Sequence, residues 1–249
     1  MQTYKPIELC GHPIAGGKFP LICTPLVGRT LAQIQAELAV VLPKKPDVLE
    51  WRVDFFEHIG DTAAVIATAE AIKKEAGGIP LLFTRRSTLE GGEKIALNEG
   101  QVIAMYTAVC KSKTIDLIDY EMANDSENVA QVRTAAKAND IKLVLSFHNF
   151  SFTPGLEALA TKFLMADQLG ADVAKVAVMP RNLDDVLTLL TATHEASKKL
   201  RIPLVSMSMG PFGSDLTFAV GASSSAPGQV PVEDLNTVLA ILQRSMSIK

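Results

Sequence analysis

Short apolar runs alternate along this chain with longer stretches in which apolar positions recur at helical spacing. The apolar runs Leu21–Thr24, Val48–Val53, Leu81–Thr84, Ile115–Glu121, Leu143–Phe147, Val173–Met179, Leu204–Met209 and Leu216–Val220 read as strands. Continuous apolar runs of this length suit strands covered on both faces. Between them, Leu31–Leu42, Ala63–Glu75, Lys94–Lys111, Val129–Ala138, Leu156–Leu169 and Leu183–Leu200 mix apolar residues with Lys, Glu and Gln, as helices that cover a sheet do. A last helix over about Val232–Arg244 opens with Pro231 and acidic residues in its first turn, where the helix dipole favours them.

Strand–helix alternation repeated this often predicts an α/β fold with a parallel sheet, and eight strands predict closure into a (β/α)8 TIM barrel. An open doubly wound sheet is the alternative, but no Gly-x-Gly-x-x-Gly follows the first strand. Ahead of that strand, the turn residues of Ile7–Gly17 predict a hairpin that closes the lower end of the barrel. No linker or repeat divides the chain, so residues 1–249 read as one domain with residues 1–17 as its cap. The seventh connection is abnormally short. Only Gly210–Asp215 separates the last two strands, whereas a parallel crossover takes a dozen or more residues.

Composition narrows the classes without naming a chemistry. With 48% hydrophobic and 20% charged residues, the chain reads as a soluble protein with a subunit interface, and a homodimer is expected. A net charge of −3 and 6% aromatic residues leave no footprint for nucleic acid. No run approaches the roughly 18 apolar residues of a membrane span. The start lacks a secretory pattern, and Cys10, Cys23 and Cys110 lack metal spacing, so a reducing cytoplasm is expected.

The sharpest chemical signal is Lys175, the one polar residue of Val173–Met179. An amine desolvated inside a strand is prepared for attack on a carbonyl, although a lysine whose stem snorkels from a strand end gives the same pattern. Its neighbours tilt the balance. Glu50, Arg52 and Asp54 share one face of the second strand by the period of two. Arg86 continues the face of Leu82 and Thr84, with Arg85 directed the other way, and Asp119 and Glu121 share a face of the fourth strand. His148 follows the fifth strand, adjacent to the lysine strand, where it could act as general acid and base. Gly221–Gln229 is rich in small residues and reads as a loop over the mouth or as an ordinary connection.

Four segments together resemble the type I 3-dehydroquinate dehydratase family: Leu49-Glu-Trp-Arg-Val-Asp54, Leu82-Phe-Thr-x-Arg-Ser87 with Glu90-Gly-Gly-Glu93, Lys175-Val-Ala-Val-Met-Pro180, and Ser223-Ser-Ser-Ala-Pro-Gly-Gln229. The resemblance runs from about Lys18 to the end of the chain. It implies a lyase of the shikimate pathway, a step toward aromatic amino acids, that dehydrates 3-dehydroquinate without metal or organic cofactor. It implies a Schiff base at Lys175, proton transfer by His148, and Glu90 and Asp119 as carboxylates that tune the histidine. Glu50, Arg52, Arg86, Ser225 and Gln229 would hold the substrate.

The sequence departs from the family in two places. The Ser-Arg-x-x-Gly segment, whose arginine meets the substrate carboxylate, is absent at the short seventh connection, and Arg85 stands where the family carries a non-basic residue. Either a segment has been lost from this sequence, which the strained six-residue crossover favours, or the protein natively lacks it, in which case Arg181 is the candidate replacement for the missing arginine. Two rival readings remain, a class I aldolase and a barrel that binds without turnover.

Overall fold

A computed structural model describes residues 5–15, 21–212, 219–220 and 222–247. Strands β1 (Ile7–Leu9) and β2 (His12–Ala15) form an antiparallel hairpin. Then strands and helices alternate: β3 (Cys23–Leu26), α1 (Leu31–Val41), β4 (Val48–Arg52), α2 (Thr62–Ala76), β5 (Leu81–Thr84), α3 (Glu99–Ser112), β6 (Leu117–Glu121) and α4 (Ser126–Ala138). The series continues with β7 (Lys142–Asn149), α5 (Leu156–Gln168), β8 (Val173–Val178), α6 (Leu183–Lys199) and β9 (Leu204–Ser208). Strands β3 to β9 pair in sequence order as one seven-stranded sheet, parallel throughout.

The sheet is curled. Cys23, Val48, Leu82, Leu117, Val144, Val173 and Met207, one inward residue from each strand, belong to a single buried cluster that includes Ile7 of the hairpin. Leu9, Ile14 and Ala15 pack on the same cluster, so the hairpin covers the lumen floor as expected. After β9 come β10 (Ala219–Val220), in contact with β3, and β11 (Val230–Pro231), which pairs with β10 and leads into α7 (Val232–Ser247). The fold is thus an α/β barrel type. The remainder of the expected eighth strand, Leu216–Phe218, and the second half of the short seventh connection, residues 213–215, lie outside the described residues.

The outer faces of the strands carry the larger core. Phe56, Trp51, Phe83, Tyr106 and Tyr120 meet edge to face in succession, with centroids 5.5, 5.6, 5.4 and 5.6 Å apart. Side-chain caps fix helix starts. Asp61 accepts from the backbone N–H groups of Ala63 and Ala64 before α2, and Asn98 and Gln101 form a reciprocal capping box before α3. That box moves the start of α3 to Glu99, later than the Lys94 read from periodicity, and frees residues 91–98 as a loop beside the lumen mouth. Strand β3 also starts two residues later than expected, and β7 runs on through His148 to Asn149.

Candidate active site

Above the apolar floor, the inward positions turn polar. Two residues further along five of these strands stand Glu50, Thr84, Asp119, Ser146 and Lys175, all buried. Register places Ser146 beside Lys175 and Thr84 beside Asp119. Lys175 Nζ lies 3.6 Å from Glu50 Oε1 and 3.7 Å from Asp119 Oδ2, ion contacts longer than hydrogen bonds. Thr84 Oγ1 donates to Glu50 Oε1 at 2.9 Å, and Ser146 Oγ donates to Asp119 Oδ1 at 2.7 Å. Ser146 thus holds the Asp119 oxygen that faces away from the lysine, whereas Thr84 and Lys175 both meet Oε1 of Glu50.

Arg86 ties this layer to the next. Its guanidinium donates to Asp119 Oδ1 at 2.9 Å, to Ser146 Oγ at 2.8 Å and to Glu121 Oε1 at 3.3 Å. Burial disfavours its charge, yet Asp119 and Glu121 outweigh burial and push Arg86 above its usual value. Burial likewise works to raise Asp119, and Arg86 and Lys175 overcome it, so Asp119 stays below the usual carboxylate range.

His148 and Glu90 form the upper pair. Glu90 Oε2 is 2.9 Å from His148 Nδ1 and accepts the backbone N–H of His148 at 3.0 Å. The ring of Phe150 stacks on the imidazole at 6.4 Å. Burial and the neighbouring Glu121 push the Glu90 carboxyl up to about 8. Burial, then the cations Arg86, Lys175 and Arg52, hold His148 well below its ordinary value, so it rests as neutral imidazole able to accept a proton. Glu90 reaches this position because the chain after it folds back sharply: a Cβ at Gly92 would lie 2.0 Å from the carbonyl oxygen of Arg86.

Arg52 completes the wall. It makes a bidentate pair with Asp54 at 2.8 and 2.7 Å, and its Nη1 approaches the carbonyl of Ser225 at 3.5 Å. Asp54 also accepts the backbone N–H groups of Arg86 and Glu93, so it anchors the mouth loops from outside the cavity lining. Above, Gln229 bonds Ser225 through both its amide atoms. That loop lies directly on the end of β9: Gly228 has φ +85°, and a Cβ there would meet the backbone of Gly210 at 2.7 Å.

Glu50, Arg52, Arg86, Glu90, His148, Lys175, Ser225 and Gln229 line one cavity of about 30 Å³, together with Phe150, Met207, Met209 and Ala226. Asp119, the remaining expected site residue, lies beneath them against Lys175. Arg181 does not join. It is exposed, packs over Phe152 and donates to the carbonyl of Ser151. Thr84, noted in the sequence only for its face, and Ser146, two residues before His148 on the same face, emerge as site residues. Among the described residues, no group of three or more His, Cys, Asp or Glu side chains is placed to hold a metal ion.

A lysine in a buried polar layer, below a histidine–carboxylate pair at the carboxyl ends of parallel strands, is the equipment of an imine-forming barrel enzyme. The type I 3-dehydroquinase family model matches residues 22–246. The chain is 76% identical to the 3-dehydroquinate dehydratase of Albidiferax ferrireducens, over 99% of this chain and 97% of that protein. That match runs over 257 positions, more than the 249 of this chain, so the relative has positions with no counterpart here. The fold matches the crystal structure of 3-dehydroquinate dehydratase from Geobacillus kaustophilus with TM-score 0.93 at 46% identity, covering 98% of this chain and 99% of that one. The Clostridium difficile type I enzyme, solved with covalently modified comenic acid, matches with TM-score 0.92 at 34% identity, covering 98% and 100%. The chain belongs to the type I 3-dehydroquinase family, hydro-lyases of the shikimate pathway that act through a Schiff base.

Proposed function

We propose that the lumen cluster converts 3-dehydroquinate to 3-dehydroshikimate within a single barrel domain, with Lys175 as the covalent amine and His148 as the proton carrier. The observation that carries this reading is the placement of the Lys175 amine between Glu50 and Asp119 in the same cavity as the His148–Glu90 pair. The amine adds to the C3 ketone and expels water as a protonated imine, which withdraws electrons from the adjacent C–H bond. His148 removes a C2 proton to give the enamine. It then returns that proton to the departing hydroxyl, and syn elimination follows. Hydrolysis of the product imine consumes one water and frees Lys175. Asp119, held anionic by Arg86, stabilises the charge on the iminium nitrogen. Glu90 orients the imidazole, while Glu50, Arg52, Arg86, Ser225 and Gln229 meet the substrate's hydroxyls. The covalent comenic acid adduct of the Clostridium difficile relative agrees with a covalent step.

Borohydride added with 3-dehydroquinate is expected to fix one ligand on the Lys175 peptide and abolish turnover, as read by peptide mass and by enone absorbance. A label on another lysine, or parent-like turnover in Lys175→Ala, would overturn the assignment.

The assembly we propose is a homodimer in the cytoplasm. Leu183, Leu187 and Leu190 lie exposed along one face of α6, which supports a subunit contact. The thiol of Cys110, pushed up to about 12 by burial, suits a buried structural residue in a reducing setting. No helix among the described residues is long and apolar enough to cross a membrane. Sedimentation of the parent against Leu187→Glu tests the dimer.

A further inference from the structure

The seam between β5 and β6 opens early. Their pairing runs from Leu82–Leu117 to Thr84–Asp119 and stops, while β6 goes on pairing with β7 through Tyr120–Leu145 and Glu121–Ser146. A parallel ladder carried one step further would seat the Arg85 N–H on the carbonyl of Asp119. The phenol of Tyr106, from α3, stands in place of that bond. The Arg85 N–H donates to the Tyr106 hydroxyl at 3.0 Å, and the hydroxyl donates to the Asp119 carbonyl at 2.9 Å. Tyr106 is fully buried. Burial raises its phenol above the usual value, so the hydroxyl keeps its proton and always has one to donate.

We propose that Tyr106 is a positioning residue for the dehydration, a spacer in the barrel wall that holds the carboxyl ends of β5 and β6 apart so that Arg86 lies across β6 and aims Asp119 at Lys175. This deepens the roles of Asp119 and Lys175 given above and rests on them. The hydroxyl bonds the backbone of Asp119 itself and of the residue before Arg86. From the split, Arg86 reaches over β6 to Ser146 on β7 at 2.8 Å, and it binds Asp119 Oδ1 on the way at 2.9 Å. That arrangement leaves Asp119 Oδ2 at 3.7 Å from the lysine amine. Without the hydroxyl, two buried backbone groups lose their partner unless the ladder closes by one step. Closure draws the backbones of Asp119 and Arg85 together and changes the aim of the carboxylate. Helix α3 braces the split at a second point. Glu99, two turns before Tyr106, accepts the Tyr120 hydroxyl at 2.5 Å and pairs with the Arg85 guanidinium. The Tyr120 hydroxyl thus serves a side chain outside the ladder, which makes it the natural control.

The test is Tyr106→Phe in the full chain against Tyr120→Phe, which removes a hydroxyl from the adjacent, equally buried ring. Turnover of 3-dehydroquinate is corrected for the folded fraction, and the denaturant midpoint is read alongside. Both variants are expected to lower the midpoint. Only Tyr106→Phe is expected to lose kcat, by roughly 10–100-fold, the cost of misplaced reacting groups, with KM within about twofold of the parent. A third variant carries 4-aminophenylalanine in place of Tyr106. Its amine fills the gap and donates to the Asp119 carbonyl but accepts poorly from Arg85, so kcat should fall between those of the parent and Tyr106→Phe. Because the gap stays filled, this variant gives a reading even where Tyr106→Phe does not fold. A kcat equal to the parent's in either Tyr106 variant, or an equal loss in Tyr120→Phe, overturns the spacer. Failure of borohydride to trap any 3-dehydroquinate adduct on Lys175 of the parent would instead overturn the underlying chemistry, and the spacer with it.

Discussion

The floor and the mouth of the lumen are built from the same faces of the same strands, two residues apart. At the floor stand Val48, Leu82, Leu117, Val144 and Val173, and one step toward the carboxyl ends stand Glu50, Thr84, Asp119, Ser146 and Lys175. The floor needs only volume and is closed by a hairpin. The polar layer binds its members to one another through directional contacts, and each carboxylate is fixed by a hydroxyl or a guanidinium. Burying charges this way gains little net stability over apolar packing, so the polar layer is explained by chemistry and the floor by folding.

The largest effect should come from the mouth. His148→Ala is expected to lose roughly 10²–10⁴-fold in turnover while still forming a borohydride-trapped imine on Lys175. Near-normal turnover would move proton transfer to another group and erase the division of labour. The next concerns what the mouth lacks. The chain has no lysine or arginine between Arg201 and Arg244, so nothing on that side meets a carboxylate with charge. Inserting a Ser-Arg-x-x-Gly segment after Gly210 should tighten substrate binding by about 1.5–3 kcal/mol, the worth of a charge-assisted hydrogen bond. An unchanged KM would show that the carboxylate is already held.

At the floor, Leu117→Ala should cost about 2–5 kcal/mol of stability and leave turnover per folded molecule close to the parent. A loss of activity without loss of stability would mean the two layers are not separable. The smallest effect is a pH signature of the upper pair. Between 4.5 and about 8 the folded protein holds the Glu90 proton more tightly than the unfolded chain does. Stability from this residue is therefore present below 4.5 and is lost as pH rises through about 8. His148 has the opposite sign. It is held neutral in the fold, so its share is lost as pH falls through and below 6.5. From pH 7 to 9 the denaturant midpoint should fall in the parent and stay flatter in Glu90→Gln. The reverse ranking would refute the raised carboxyl.

Most of the sheet and much of the site are legible from period alone. A strand buried on both faces announces itself as an apolar run, and a lysine inside one is conspicuous because nothing else there is charged. Arg85 and Arg86 separate correctly for the same reason, since adjacent strand positions face opposite ways. Periodicity cannot show where a cap overrides it, which is why α3 starts at Glu99, behind the Asn98–Gln101 capping box, rather than at Lys94. Ser146 escaped notice because a serine in an apolar strand is unremarkable until its partner, Asp119, is seen across the register. The pairing of Glu90 with His148 joins residues 58 positions apart, and only the resemblance to the family suggested it. Arg181 looked eligible from its place after the lysine strand, but one turn beyond the strand end directs it outward.

The glycine pair at the top of the molecule sets a limit of another kind. Gly210 and Gly228 press backbone on backbone, with no side chain between them to adjust. A joint of this sort has no tolerance for graded tuning. Evolution or a protein engineer can lengthen the segments that lead into it, or recolour the loop on either side. Any residue with a Cβ at Gly228, however small, acts as a wedge that lifts the loop carrying Ser225 and Gln229 off the barrel. The seat of that loop is thus inherited whole or lost whole.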